Sequence, residues 1–286
     1  MENVLEIKNL SKKYKNFTLN NINLTLDKGF IMGIIGENGA GKTTLIKLIM
    51  NLVNKSEGSI KVFGMDYIKN EKEIKDRVGF VYDQFYGYDY LSLQDNTNLL
   101  APMYSKWNIE KYKYYINKFS LNEKQKLREL SKGMRMKYSL CLALSHGAEL
   151  ILMDEPTAGL DPIVRNELLD ELQDLIYEEN ISVIISTHIT SDLEKIADFI
   201  TFIKEGEVIF SISKDEILEE FKIVKGKNED LNEEVEKLFL GLRKNSYGFE
   251  GLTNKVYEIK EALKDKIVVE STSLEKIMLL YGKLNI

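Results

Sequence analysis

Hydrophobic and polar positions along this chain change period several times. Residues 4–9 and 17–26 alternate apolar and polar, which predicts strands of a half-exposed antiparallel sheet. Phe30 to Ile35 is a short apolar run, as expected of a buried strand, and it ends at Gly36. Thr43 to Leu52 then sets Leu45, Ile46, Leu48, Ile49 and Leu52 on one broad helical face. Residues 71–77 predict a short charged helix and Val78 to Tyr82 a strand. From about 92 to 146 the pattern is helical, with Tyr112, Tyr115, Ile116 and Phe119 at core-packing spacing.

Further on, Leu150 to Met153 and Ile181 to Ser186 predict two more buried strands. Between them, residues 162–179 predict a helix with proline in its first turn. Thr190 to Ala197 predicts another helix, and Phe199–Lys204 with Glu207–Ser211 a hairpin about Glu205-Gly206. Strand and helix alternation in the middle of the chain implies an α/β fold with a parallel sheet. The character changes after residue 212, with a strongly acidic stretch from Asn228 to Glu236. Residues 1–212 are expected to form the main domain, with a helical subdomain at about 84–148. Residues 213–286 are expected to form a small α+β appendage whose last helix carries Leu274, Ile277 and Leu280.

The stretch Gly36-Glu37-Asn38-Gly39-Ala40-Gly41-Lys42-Thr43 fits G-x-x-x-x-G-K-[ST]. Chance yields that pattern in roughly one chain of this length in a hundred. Here it also lies between a predicted strand and a predicted helix, where the chemistry requires it. Glycines let backbone N–H groups turn inward around an anion, and the helix start adds its positive end. Lys42 is then placed for the β- and γ-phosphates, the Thr43 hydroxyl for Mg²⁺, and Thr44 for the same nucleotide. Asp154, at the end of the Leu150–Met153 strand, is the expected second Mg²⁺ contact. Glu155 follows it as the carboxylate that orients or deprotonates an attacking water.

Composition narrows the classes. The formal net charge of −6 disfavours a nucleic-acid binder, which needs a basic stripe against phosphates. Its single cysteine, Cys141, excludes an internal disulfide and sits among apolar residues as a small buried hydrophobe. The start, Met1-Glu2-Asn3-Val4, lacks a basic segment followed by an apolar core, so no signal peptide is expected. No apolar run approaches the ~20 residues of a membrane span, so any spanning part is expected on another chain.

Five further segments complete a pattern. Leu130-Ser131-Lys132-Gly133-Met134 resembles the signature of ATP-binding-cassette (ABC) transporter ATPase subunits, usually L-S-G-G-Q. Ala158-Gly159-Leu160-Asp161 resembles their D-loop, Thr187-His188 their switch histidine, and Tyr14 the aromatic residue that stacks on adenine. Asp83-Gln84 falls at their Q-loop. The resemblance spans about residues 2–211, in the family's order. Ser131 and Gly133 are kept, while Lys132 and Met134 depart from the usual glycine and glutamine. At the Q-loop, Asp83 takes the glutamine position, as a candidate metal or water ligand, with Gln84 one place later.

This resemblance implies a P-loop NTPase (ABC ATPase) core with a parallel sheet, an antiparallel β subdomain and a helical subdomain. It implies ATP and Mg²⁺ as cofactors, and hydrolysis carried by Lys42, Glu155 and His188. It also implies a homodimer or heterodimer in which Ser131 and Gly133 of one copy face the γ-phosphate held by the other. The implied partner is a separate membrane-spanning permease, docked where Phe85, Tyr86, Tyr88 and Tyr90 lie. Localisation is then cytoplasmic, peripheral on the inner face of the membrane. The signature and the Tyr104-Ser105-Lys106-Trp107 stretch look similar to a bacterial ABC-2-type export branch. A soluble ABC-type ATPase acting on nucleic acid or ribosomes, and a regulatory ATP switch, remain alternatives.

Overall fold

The structure, a computed structural model, describes residues 3–82 and 87–281. Asp83, Gln84, Phe85 and Tyr86 therefore lie outside the described residues. In chain order the elements begin β1 (Asn3–Lys13), β2 (Thr18–Asp27), β3 (Ile31–Ile35), α1 (Lys42–Ile49), β4 (Glu57–Val62), β5 (Met65–Asp66), α2 (Glu71–Arg77) and β6 (Val78–Tyr82). Next come α3 (Leu93–Leu100), α4 (Ile109–Lys118), α5 (Lys132–Ser145), β7 (Leu150–Asp154), α6 (Pro162–Glu179), β8 (Ser182–Ser186), α7 (Thr190–Ile196), β9 (Phe199–Lys204) and β10 (Glu207–Ser213). Last are α8 (Lys214–Glu220), β11 (Lys222–Gly226), α9 (Glu233–Glu236), β12 (Gly241–Asn245), β13 (Gly248–Thr253), α10 (Val256–Leu263), β14 (Ile267–Ser271) and α11 (Leu274–Leu280). The chain divides into two compact units, Met1–Ser211 and Ile212–Ile286.

Two sheets build the first unit. One has the order β2-β1-β4-β5 and is antiparallel; the other has the order β10-β9-β3-β8-β7-β6 and a parallel centre. Helix α1 buries Leu45, Ile46, Leu48 and Ile49 in a core shared by both sheets, with Leu5, Ile22 and Ile60 on one side and Ile34, Leu152 and Ile184 on the other. Each fully buried aliphatic side chain of this kind contributes roughly 1.5–3 kcal/mol. Register sets the functional edge. Ile34 pairs with Ser186, Ser186 with Asp154 and Asp154 with Tyr82, so β3, β8, β7 and β6 end in step. Loops leaving that carboxyl edge are where open α/β sheets hold ligands.

One expectation needs correction. Leu52 does not join the buried face of α1 and is 53% exposed. The helix stops at Ile49, Asn51 turns left-handed at φ 53°, and the Leu52 and Asn51 N–H groups donate to Lys47 O and Leu48 O at 2.9 and 3.0 Å. That is a Schellman closure, which asparagine tolerates at its left-handed residue. Strands β4 and β5 also had no place in the pattern reading. Only Ile60 and Val62 alternate inward there, among polar neighbours, and pairing with β1 makes that segment a strand.

Helices α3 to α5 form a compact layer with Tyr112, Tyr115, Ile116 and Phe119 buried. Cys141 is fully buried there. Inside, the Thr97 hydroxyl meets Tyr138 Oη at 2.8 Å and Tyr112 Oη at 3.2 Å. Helix α6 is tied to this layer through Glu179, which accepts from Tyr115 Oη at 2.6 Å and Lys111 Nζ at 2.5 Å, and through Glu171, 2.9 Å from Lys137.

His146, just after α5, is buried and stacks on Tyr104 with ring centroids 4.0 Å apart. Burial pushes its pKa from 6.5 down to about 4. The unfolded chain therefore protonates His146 first, so its contribution is intact above pH 6.5 and is lost as pH falls to 4. The loss amounts to about 3 kcal/mol. Urea titrations at pH 7 and pH 4.5 should show a smaller difference in His146→Phe than in the parent, because phenylalanine keeps the stack and cannot titrate.

The second unit is an antiparallel sheet of order β12-β13-β11-β14. Alternation along β11 sends Val224 into a cluster with Val235, Phe239, Phe249 and Ile259. Neighbouring Ile223 is buried as well, and α11 buries Leu274, Ile277 and Leu280 beside β12 and β13.

Candidate active site

The glycine-rich loop joins β3 to α1. Gly41 caps α1 at φ 114°, a conformation that side chains resist, and a Cβ there would lie 2.9 Å from the Phe17 ring. A Cβ on Gly36 would fall 2.3 Å from the Ile203 carbonyl, so the loop lies directly on β9. No side chain among the described residues caps the start of α1. Its first N–H groups and the positive end of its dipole face the loop. Asn16, Phe17, Asn38, Gly39, Gly41, Lys42, Thr43, Thr44 and Glu155 line a cleft of about 580 Å³.

Lys42 is only 6% exposed and donates to the Gly36 and Glu37 carbonyls at 2.8 and 3.2 Å. Burial holds its pKa below the ordinary lysine value, against the pull of Glu155 and Asp154. The ammonium lies 3.8 Å from Glu155 Oε1. Thr43 donates its hydroxyl to Asp154 Oδ1 at 3.3 Å, and the Ser186 hydroxyl donates to the same oxygen. Three oxygens from distant parts of the sequence thus meet beside the loop.

Glu155 takes a left-handed backbone at φ 49°, which costs a residue with a side chain about 1–3 kcal/mol. Its N–H donates to Ser186 O at 2.9 Å, and its Oε2 lies 2.8 Å from His188 Nδ1. A carboxylate only accepts, so the imidazole proton of this contact sits on Nδ1. His188 is itself half exposed, and its segment is fixed by Thr187 N–H donating to Ile34 O at 3.1 Å.

Other predicted site residues are placed apart from this cluster. Tyr14 is 45% exposed under the Lys12 ammonium, 5.0 Å away, and does not line the cleft. Ser131 is the N-cap of α5, accepting from Met134 N at 3.3 Å, and Gly133 is buried in the first turn of that helix. Asp161 is the N-cap of α6, accepting from Ile163 N at 2.9 Å. Asp83 lies outside the described residues. Asn16 and Phe17 line the cleft without having been read from sequence as site residues, since Phe17 opens an alternating strand and nothing local signals what it faces.

Comparison with known proteins decides the family. Residues 19–158 match the family described as ABC transporter. The chain is 35% identical over 222 residues to the bacitracin transport ATP-binding protein BcrA of Enterococcus faecalis, covering 76% of this chain and 71% of that one. This chain belongs to the ABC transporter ATP-binding proteins. As an ABC ATPase it binds and hydrolyses ATP, the activity that drives transport in this family. It is also 35% identical to the lantibiotic transport ATP-binding protein SrtF of Streptococcus pyogenes, over 72% of this chain and 89% of the relative. Among solved structures it resembles a dimeric ATP-binding cassette in a post-hydrolysis state bound to ADP and Pi. That match has TM-score 0.64 and 25% identity, over 73% of this chain and 98% of the other. Among the described residues no helix is long and apolar enough to cross a membrane, and ABC ATPases work with membrane subunits.

Proposed function

We propose that this ABC ATPase energises export through a separate membrane-spanning permease, as part of the ABC-2-type branch. The observation that carries the site reading is the meeting of Lys42, the Thr43–Asp154 pair and the Glu155–His188 pair at one cleft. Gly36 to Thr44 would cradle the nucleotide's phosphates, with Lys42 neutralising the β- and γ-groups. Thr43 and Asp154 offer a hydroxyl and a carboxylate, which suits Mg²⁺. That ion usually takes one or two carboxylates plus phosphate oxygens rather than an all-protein cage. Once bound, Mg²⁺ would offset phosphate charge.

Glu155 holds the attacking water and takes its proton, and His188 aims the carboxylate through Nδ1–H. Little covalent work is asked of the chain, and positioning supplies most of the rate. Tyr14 would stack on adenine. Ser131 and Gly133 of a second copy, or of a related ATPase, would close over the γ-phosphate, with Asp161 at the same seam. The dimeric cassette among the similar structures supports that closure. The transport names of the relatives support an exported cargo, whose choice falls to the permease. Tyr88 and Tyr90, 65% and 74% exposed, would border the docking surface. No nucleic-acid partner is expected from a chain of net charge −6, and localisation would be peripheral on the inner face of the membrane.

Detergent extracts of membranes should yield the chain together with a multi-spanning protein. ATP turnover of that complex should stop on chelation of divalent cations and return with Mg²⁺. Recovery of the chain free of membrane protein and bound to RNA or DNA would overturn the export reading.

A further inference from the structure

Asp192, in the first turn of α7, is a carboxylate only 3% exposed. Its Oδ2 accepts from the Thr157 hydroxyl, and its Oδ1 lies 3.4 Å from Arg165 Nε. Burial raises its pKa, against the pull of those two partners. The three residues come from three segments. Thr157 follows Glu155 by two positions and is itself 2% exposed. Arg165 stands one helical turn after Asp161, to whose carbonyl its N–H donates at 2.8 Å. Asp192 stands four residues after His188, with its own N–H on Ile189 O at 3.2 Å.

Stability alone does not explain such a group. Replacing a buried ion pair by well-packed apolar residues is often neutral or stabilising, and the best-attested use of such pairs is to fix register. A need for register is visible here. Glu155 sits in a left-handed conformation that surrounding contacts must hold, and Thr157 anchors the loop leaving it. We propose that Asp192 is a positioning residue that, through Thr157 and Arg165, fixes the Glu155–His188 pair relative to the start of the helix bearing Asp161. The inference rests on the roles given above to Glu155 and Asp161. A shift of Asp161 by a second copy passes through one turn to Arg165, then to Asp192, and through one turn back to His188.

Asp192→Asn and Arg165→Met are expected to lower kcat about 10- to 100-fold, the cost of misplacing a reacting group by about 1 Å. KM and ATP affinity should stay within about twofold, because neither residue lines the cleft. The Asp192→Asn/Arg165→Met double variant should lose no more than either single one, as members of one unit do. Thr157→Val should lose turnover, and Thr157→Ser, which keeps the hydroxyl, should restore it relative to valine. An Asp192→Leu/Arg165→Met pair should regain the parent's melting temperature without its kcat. Parental kcat in Asp192→Asn, additive losses in the double variant, or recovered turnover in the apolar pair would each overturn the inference. Glu155→Gln measured alongside separates the two levels. Persisting turnover in that variant removes the role of Glu155 itself. A dead Glu155→Gln beside a fully active Asp192→Asn removes only the role of Asp192.

Discussion

Glu155→Gln is expected to cut ATP turnover by about 10²- to 10⁴-fold while ATP affinity stays within about twofold. Glutamine has nearly the shape of glutamate, so the left-handed backbone and the Glu155 N–H on Ser186 O are kept. What disappears is the group that takes the proton from water. Lys42, Thr43 and Asp154 are untouched, so the loop still grips the phosphates. ATP should therefore hold two copies together instead of being consumed. Size exclusion with Mg-ATP should show a dimer that persists in the variant and decays in the parent. Unchanged turnover would remove Glu155 from the reaction. A parallel loss of affinity would mean that the substitution disturbs the loop, and that Glu155 is structural.

The parts of this site legible in the sequence are those in which one short segment carries its own geometry. The glycine loop is of this kind, because Gly36 follows directly from a five-residue apolar strand and Lys42 opens the helix six residues later. So is the Asp154-Glu155 pair, because four apolar residues before it fix the strand end at which it emerges. His188 could be placed for the same reason, two residues past β8. Contacts between segments were not legible. Nothing near Asp192 in sequence indicates that it meets Thr157, 35 residues away, and its surroundings look like an ordinary polar helix start. Phe17 belongs to the cleft only because β1 and β2 fold over the loop. Strand β4 became a strand by pairing with β1, a tertiary effect that local pattern does not contain. The end of α1 could have been read from Asn51, which is suited to a left-handed closure, but the apolar spacing pointed past it to Leu52.

Lys42→Ala provides the opposite test to Glu155→Gln, because it should remove binding as well as turnover. The ammonium is buried and flanked by Glu155 and Asp154, so its removal leaves two carboxylates facing the cleft without their cation. A triphosphate entering there would meet negative charge, and in a low-dielectric cleft that repulsion is weakly screened. Losing one preorganised donor typically costs about 10²- to 10³-fold in rate, and loss of the charge should weaken ATP binding as well. Lysine also donates to Gly36 O and Glu37 O, so alanine loosens the loop. Glu37 is exposed and Gly36 buried, so one buried carbonyl loses its donor, and the melting temperature should fall by a few degrees. Calorimetric titration with Mg-ATP is the deciding measurement, and Lys42→Ala should show neither saturable heat nor an ATP-dependent dimer. The two variants then separate gripping from cutting: one binds and cannot hydrolyse, the other cannot bind. If Lys42→Ala hydrolyses ATP like the parent, the phosphates lie elsewhere, and neither the Thr43–Asp154 pair nor the Glu155–His188 pair has the substrate assigned to it here.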